Sequence, residues 1–305
     1  MFTASRKGRL AAGVVAVGAV IALAGCSSGD PLAADPGASG ADSKTIVIGS
    51  QAYYSNEIIA EIYAQGLEDA GFTVERKFQI GQRDAYLPAL EKGEVDIIPE
   101  YTGNLLQFYN KDTTVTKSDE VYAALADALP EGLTVLEQSP ATDQDSYNVT
   151  SEFAEANSLT TIADLANVST ELILGGNAEL EERPYGPAGL LSAYGVTVKF
   201  SATGDTTVDS LVEGNVNVAN VYSADPRIAS KNLVTLEDPE GLFLSSNVVP
   251  LVNKKIATDV EGVLNAIDAK LTPEGLAALN ALSVDEEQSS AKIATDWLTD
   301  QNLRS

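Results

Sequence analysis

The 305-residue chain contains no histidine, one cysteine, one methionine and one tryptophan, and its 19 lysines and arginines face 44 aspartates and glutamates. Without histidine there is no imidazole triad, no His-based proton relay and no ordinary zinc site. A single cysteine excludes a disulfide framework and any cysteine-pair metal or redox motif. The formal net charge is −25. Three of the few cations (Arg6, Lys7 and Arg9) crowd the N-terminus. A surface this acidic repels phosphate backbones, which argues against nucleic acid as a partner. What is present suffices to fold: 44% of the residues are hydrophobic, at a length that suits one large or two ordinary domains. Composition also sets aside collagen-like, coiled-coil and wholly disordered chains.

Residues 1–26 read as a secretory signal. Arg6, Lys7 and Arg9 form its positive region, followed by an uncharged apolar run from Leu10 to Leu23. That run is short for a span of ~20 residues, and it ends in Leu23-Ala24-Gly25-Cys26, a pattern that resembles the bacterial lipobox. Cys26 is therefore the expected lipid attachment point and first mature residue. Residues 27–43, small, acidic and broken by proline and glycine, lack the apolar content to fold and read as a flexible tether. The expected setting is a bacterial cell membrane, with the folded part held on the extracytoplasmic side.

The folded region opens on Ile46-Val47-Ile48-Gly49, an apolar run that suits a buried strand. Ser55 or Asn56 is placed to cap a helix in which Ile58, Ile59, Ile62, Tyr63 and Leu67 keep helical spacing. A strand near 72–80, a helix near 84–91 and a strand near 95–98 follow. Strands alternating with helices indicate α/β layers. Amphipathic helices are expected near 259–270, 272–282 and 286–300, with Pro273 at a first helical position.

The chain also echoes itself. Leu90-x-x-Gly93-x-Val95-Asp96-Ile97-x-x-x-Tyr101-Thr102 matches Leu211-x-x-Gly214-x-Val216-Asn217-Val218-x-x-x-Tyr222-Ser223 at every offset. Upstream, Ile46 to Gln51 is echoed by Leu172 to Asn177. The reading is two similar lobes, one over 44–143 and 246–305, the other over 144–245. Ligands of open α/β sheets bind beyond the carboxyl ends of the strands. A cleft between the lobes would then be lined by Gln51 and Tyr101 from one side, and by Asn177 and Tyr222 from the other.

Catalytic signals are weak. No carboxylate pair stands out from an abundant acidic background. Asp143-Gln144-Asp145 lacks the glycine and terminal glutamate of a calcium loop, and Gly175-Gly176 has no following lysine to hold phosphate. No catalytic residue, metal or cofactor is expected. Tyrosine is the unusual holding, 11 against 7 phenylalanines. Tyrosine faces around a cleft can surround a cation, at roughly 0.5–2 kcal/mol per contact when desolvated.

The stretches IVIGSQAYYSNEIIAEIYAQ and ALEKGEVDIIPEYTGNLLQFY, then Asp145-Ser146-Tyr147, ELEERPYGPAGL, Val221-Tyr222-Ser223-Ala224-Asp225-Pro226-Arg227 and Asn247-Val248-Val249-Pro250-Leu251-Val252, occur in an order that resembles the substrate-binding proteins of glycine betaine/carnitine/choline ABC transporters. Pro99-Glu100-Tyr101-Thr102-Gly103 is the most specific of these segments. The resemblance implies a two-lobed periplasmic-binding-protein fold of type II, and no enzymatic activity. It implies a quaternary ammonium ligand delivered to a membrane permease driven by a separate ATPase, with this chain acting as a monomer. It also makes Tyr101, Tyr147 and Tyr222 walls of an aromatic cage, Arg183 a carboxylate partner, and Gln51 and Asn104 polar contacts. A further aromatic found in relatives is replaced here by Ser246, and Tyr53 and Tyr54 are both placed to refill that space. Arg183 favours a glycine betaine-like zwitterion. Carnitine, choline and ergothioneine are the alternatives, with an exported carboxylate-dependent hydrolase behind them.

Overall fold

In the computed structural model, which describes residues 45–304, the chain forms two five-stranded sheets of equivalent order. The expected signal segment, the tether and Cys26 lie outside the described residues. The chain begins β1 (Ile46–Gly49), α1 (Tyr54–Asp69), β2 (Val74–Lys77), α2 (Arg83–Glu91), β3 (Ile97–Tyr101), α3 (Thr102–Tyr109), α4 (Ser118–Ala128) and β4 (Leu133–Val135). It then crosses into β5 (Asp145–Thr150), α5 (Ser151–Asn157), β6 (Ile173–Gly176), α6 (Pro187–Tyr194), β7 (Lys199–Ala202), α7 (Thr207–Val212), β8 (Val218–Tyr222), α8 (Arg227–Ser230) and β9 (Leu233–Thr235). It returns through β10 (Val248–Asn253) and closes with α9 (Ala257–Asp268), α10 (Pro273–Val284) and α11 (Ser290–Asp300).

The sheet orders are β2-β1-β3-β10-β4 and β7-β6-β8-β5-β9. In both, three parallel strands are followed by an antiparallel strand that enters from the crossing chain. Register makes the echo physical. Ile48 pairs with Ile97 and Leu174 with Val218, so the repeated segments hold the same places in their sheets. Asp96 and Asn217 occupy equivalent sites and do the same work: each side chain accepts the backbone N–H of the neighbouring first strand, from Val47 at 3.1 Å and Ile173 at 2.8 Å. Val248 lies opposite Tyr101 and Asp145 opposite Tyr222, so valine in one lobe stands where aspartate stands in the other.

The lobes differ in support. α1 is buried almost all round because one side meets the first sheet and the other meets α9, α10 and α11. Each buried isoleucine among Ile58, Ile59 and Ile62 contributes about 2 kcal/mol by removal from water. Inside this layer the Tyr63 hydroxyl donates to Asp268 at 2.6 Å, and burial pushes the Asp268 carboxyl up. The second sheet has its own core around Val149, Ile162, Leu174, Leu190 and Val218.

Local details depart from expectation for physical reasons. Ser55 and Asn56 lie inside the first turn of α1 rather than capping it. Their side chains tie distant chain instead: Asn56 accepts from Gln51 N–H and donates to the Pro99 carbonyl, and Ser55 donates to Asp143. The strand expected over 72–80 shortens to Val74–Lys77 because Gln79 and Gly81 adopt positive φ. The last helix begins at Ser290, capped by the Ser289 hydroxyl.

Where the chain crosses between lobes, the outgoing and returning segments run side by side. Thr142 forms an antiparallel bridge with Asn247, Asp143 N–H donates to the Ser246 carbonyl, and Val248 N–H donates to the Ala141 carbonyl. Paired crossing strands of this kind let two sheets swing as bodies about a short hinge.

Candidate functional site

The Pro99-Glu100-Tyr101-Thr102-Gly103 segment explains itself residue by residue. Glu100, wholly buried, receives both arms of the Arg83 guanidinium at 2.9 and 2.8 Å, the Tyr86 hydroxyl, and the Tyr101 backbone N–H. Tyr101 ends β3 at the cleft. Thr102 binds the returning chain at Ser245 and Asn247. Gly103 packs so closely on that chain that a Cβ would lie 2.7 Å from the Ser245 carbonyl oxygen, which excludes any side chain there.

The carboxyl ends of β3 and β8 face each other across the lobe boundary. Tyr53, just after β1, lays its ring 4.8 Å from both Tyr54 and Tyr222. Its hydroxyl donates to Asp143 at 3.1 Å. Tyr101 and Tyr222 each receive a long amide contact at 3.5 Å, from Asn56 and Asn177 respectively. A cavity of about 400 Å³ opens on this side, lined by Tyr53, Tyr54, Asn177, Asn220, Tyr222 and Asp225 among others. A narrower recess continues behind Tyr222 and Asn220, past Asp145, Arg83, Arg183 and Tyr185.

Several buried polar atoms here have no hydrogen-bond partner: Gln51 Nε2, Tyr54 hydroxyl and Asn220 Nδ2. Carboxylates also converge. Asp143 accepts from Tyr53, Ser55 and the Ala224 N–H, and burial pushes its carboxyl up to about 7 against those hydrogen bonds. Asp145 accepts from Asn104 Nδ2, and burial raises its pKa against that bond, the neighbouring Asn220 and Tyr185 side chains and the charge of Arg83. Asp225 is paired with Arg227 at 2.7 Å.

Of the residues expected from sequence, Tyr53 and Tyr222 line the cavity, while Gln51 and Tyr101 both meet Asn56 in the buried layer behind β1 and β3. Asn104 lies on α3 and reaches across to Asp145 and to the Tyr185 hydroxyl. Tyr147 is not at the cleft surface. It is fully buried in the second lobe's core, packed edge-on against Phe243, with its hydroxyl donated to the Tyr185 carbonyl. β5 runs away from the cleft, so Tyr147 sits two residues deeper than Asp145. Arg183 lines the recess, but its guanidinium is engaged by Asp84 of α2 at 3.0 Å and lies over the Phe108 ring at 5.7 Å. Ser246 does not face a ligand space. Its hydroxyl accepts the Gly103 and Asn104 N–H groups and donates to Asn104 Oδ1, capping α3. Sequence reasoning passed over Asp143, Asp145, Tyr185 and Asn220. No local signal marks them, because Asp145 is placed only by the pairing of β5 with β8.

Among the described residues no helix is long and apolar enough to cross a membrane, and no cluster of three or more His, Cys, Asp or Glu side chains could hold a metal ion. A hinged pair of like sheets, with aromatic and unsatisfied amide groups meeting at the strand ends, defines a two-lobed solute-binding protein. The profile of the substrate binding domain of the ABC-type glycine betaine transport system matches residues 44–300, and the chain belongs to that family. It is a solute-binding protein of ABC importers, working outside the cytoplasm, and not an enzyme. The glycine betaine-binding protein YehZ of Escherichia coli is 29% identical over 272 residues, covering 83% of this chain and 89% of its own. The carnitine transport binding protein OpuCC of Listeria monocytogenes is 24% identical, covering 88% and 90%. In fold, a crystal structure titled as a glycine betaine/carnitine/choline ABC transporter superimposes with a TM-score of 0.70 at 21% identity, over 85% of this chain and 99% of the other.

Proposed function

We propose that this protein captures a quaternary ammonium solute between its lobes and hands it to a membrane permease driven by a separate ATPase. Tyr53, Tyr101 and Tyr222 form the aromatic walls, with Tyr147 supporting the second lobe from beneath. The observation that carries this reading is the Tyr53–Tyr222 ring pair across the lobe boundary, beside unpartnered Gln51 and Asn220 amides. Ring faces attract a methylated ammonium that offers no hydrogen-bond donor, and the amides hold its polar end. Relatives named for glycine betaine and carnitine support the ligand class. Anchoring through a lipid on Cys26, and action as a monomer, complete the proposal.

The test is thermal unfolding against a panel of quaternary amines. A ligand bound only by the native state stabilises it, by about 2.7 kcal/mol at a hundredfold excess over Kd. At least one such compound should raise Tm, and Tyr222→Ala should shrink the rise. A panel that leaves Tm unchanged throughout would contradict the reading.

A further inference from the structure

The cleft is richer in carboxylate than in free cation. Arg83 is forked onto Glu100, Arg183 is paired with Asp84, and Arg227 with Asp225. Asp145 lines the recess at 3% exposure and forms none of the ion pairs found among the described residues, although the charge of Arg83 reaches it. Its close hydrogen bond comes from a neutral amide, Asn104, and the other groups that favour its charged form at hydrogen-bonding reach, Asn220 and Tyr185, are neutral too. The fold does not need an acid at this point, because the equivalent place in the first lobe is the fully buried Val248.

A second observation sits beside it. Asn220 is 9% exposed, lines both the open cavity and the recess, and its Nδ2 leans toward Asp145 without closing a hydrogen bond of normal geometry. A buried amide donor left unpaired is costly, so a fitting ligand brings an oxygen acceptor to it. A buried carboxylate without a cation is costly too, so the same ligand brings positive charge. An alcohol oxygen can accept from Asn220 and donate to Asp145. A ligand carboxylate can accept from Asn220, but it sets a second negative charge against Asp145 in a site shielded from water.

Resting on the proposed capture of a quaternary ammonium solute, we infer that the ligand is a net cation, a quaternary ammonium alcohol, and that Asp145 selects it over betaine carboxylates. Arg183, already held by Asp84, does not reverse the balance.

The test is titration calorimetry of the purified protein with choline, with glycine betaine, and with the uncharged carbon isostere of choline. Choline should bind more tightly than either by roughly tenfold or more, the scale expected when a desolvated charge partner is matched. Asp145→Asn, checked by circular dichroism, should cost choline roughly tenfold or more while narrowing its advantage over glycine betaine. Glycine betaine binding wild type as tightly as choline, or a choline preference untouched by Asp145→Asn, would overturn the inference. The wild-type comparison decides even if the variant fails to fold. If no quaternary amine binds, the capture reading falls together with this one. If betaine wins, only the charge assignment falls.

Discussion

The two turns that follow the cleft tyrosines are built on one plan, carried out with different side chains. After Tyr101, the Gly103 N–H donates to Ser246, the Thr102 N–H to the Asn247 carbonyl, and the Asn247 N–H to the Thr102 hydroxyl. After Tyr222, the Ala224 N–H donates to Asp143, the Ser223 N–H to the Gln144 carbonyl, and the Gln144 N–H to the Ser223 hydroxyl. Strand register places Ser246 opposite the same point as Asp143. The repeat therefore runs through the hinge, where the sequence echo does not extend. What differs is charge: the first lobe carries a neutral hydroxyl at this point and the second a buried carboxylate. A second exchange runs the other way, with Glu100 in the first lobe standing where the second has Val221. The shared plan fixes where each tyrosine stands, and the exchanges decide what each side of the cleft can bind.

The largest effect should come from the Glu100 exchange. Arg83→Met leaves a buried carboxylate without its cation and should destabilise the protein by about 3–5 kcal/mol in urea unfolding. Adding Glu100→Leu, which gives the first lobe the second lobe's apolar choice, should recover much of that loss. A loss under about 1 kcal/mol for Arg83→Met would mean that the pair does not hold β3.

Next is the pH response of the hinge. With a folded pKa of about 7, Asp143 keeps a proton that the unfolded chain releases near pH ~4. The native state then binds more protons through that window, so stability falls as pH rises from about 4 to about 7 and levels above it. The slope should reach roughly 1.4 kcal/mol per pH unit for this one group. Asp268 is shifted in the same direction, so the difference between wild type and Asp143→Asn is what isolates the hinge. Parallel pH profiles for the two proteins would contradict the assignment.

Ser246→Ala removes only the hydroxyl that caps α3 and should cost about 1 kcal/mol. Smallest is Arg183→Ala. Asp84 is largely exposed, so the inter-lobe pair is worth under about 1 kcal/mol. Its loss should weaken binding of choline and glycine betaine by the same small factor in calorimetry. A loss confined to carboxylate ligands would instead make Arg183 a ligand contact.

Much of this was legible in the sequence where the chain repeats itself locally. The buried runs at β1 and β3, their counterparts at β6 and β8, and the tyrosines ending β3 and β8 follow from spacing alone. What stayed hidden depends on pairing between distant segments. Asp143 and Asp145 reach the cleft only because the crossing chain docks against β8, and among 44 acidic residues nothing local marks them. Tyr147 was marked by resemblance alone, and its depth follows from the direction of β5, which its own residues do not encode. Arg183 carries a charge fit for a carboxylate, yet its partner Asp84 lies 99 residues earlier on the opposite lobe. Ser246 has the size of a missing wall and the bonds of a helix cap, and only the second is visible in three dimensions.

The central claim, that aromatic faces from both lobes hold a methylated ammonium, is tested most directly with the bare headgroup. Tetramethylammonium has no alcohol or carboxylate tail, and Asp145 acts on it alike in wild type and in Tyr222 variants, so the comparison reads the ring. Titrated against wild type, Tyr222→Phe and Tyr222→Ala, it should bind the first two alike and lose roughly 1–2 kcal/mol with the third. Equal affinity for wild type and Tyr222→Ala would contradict the account.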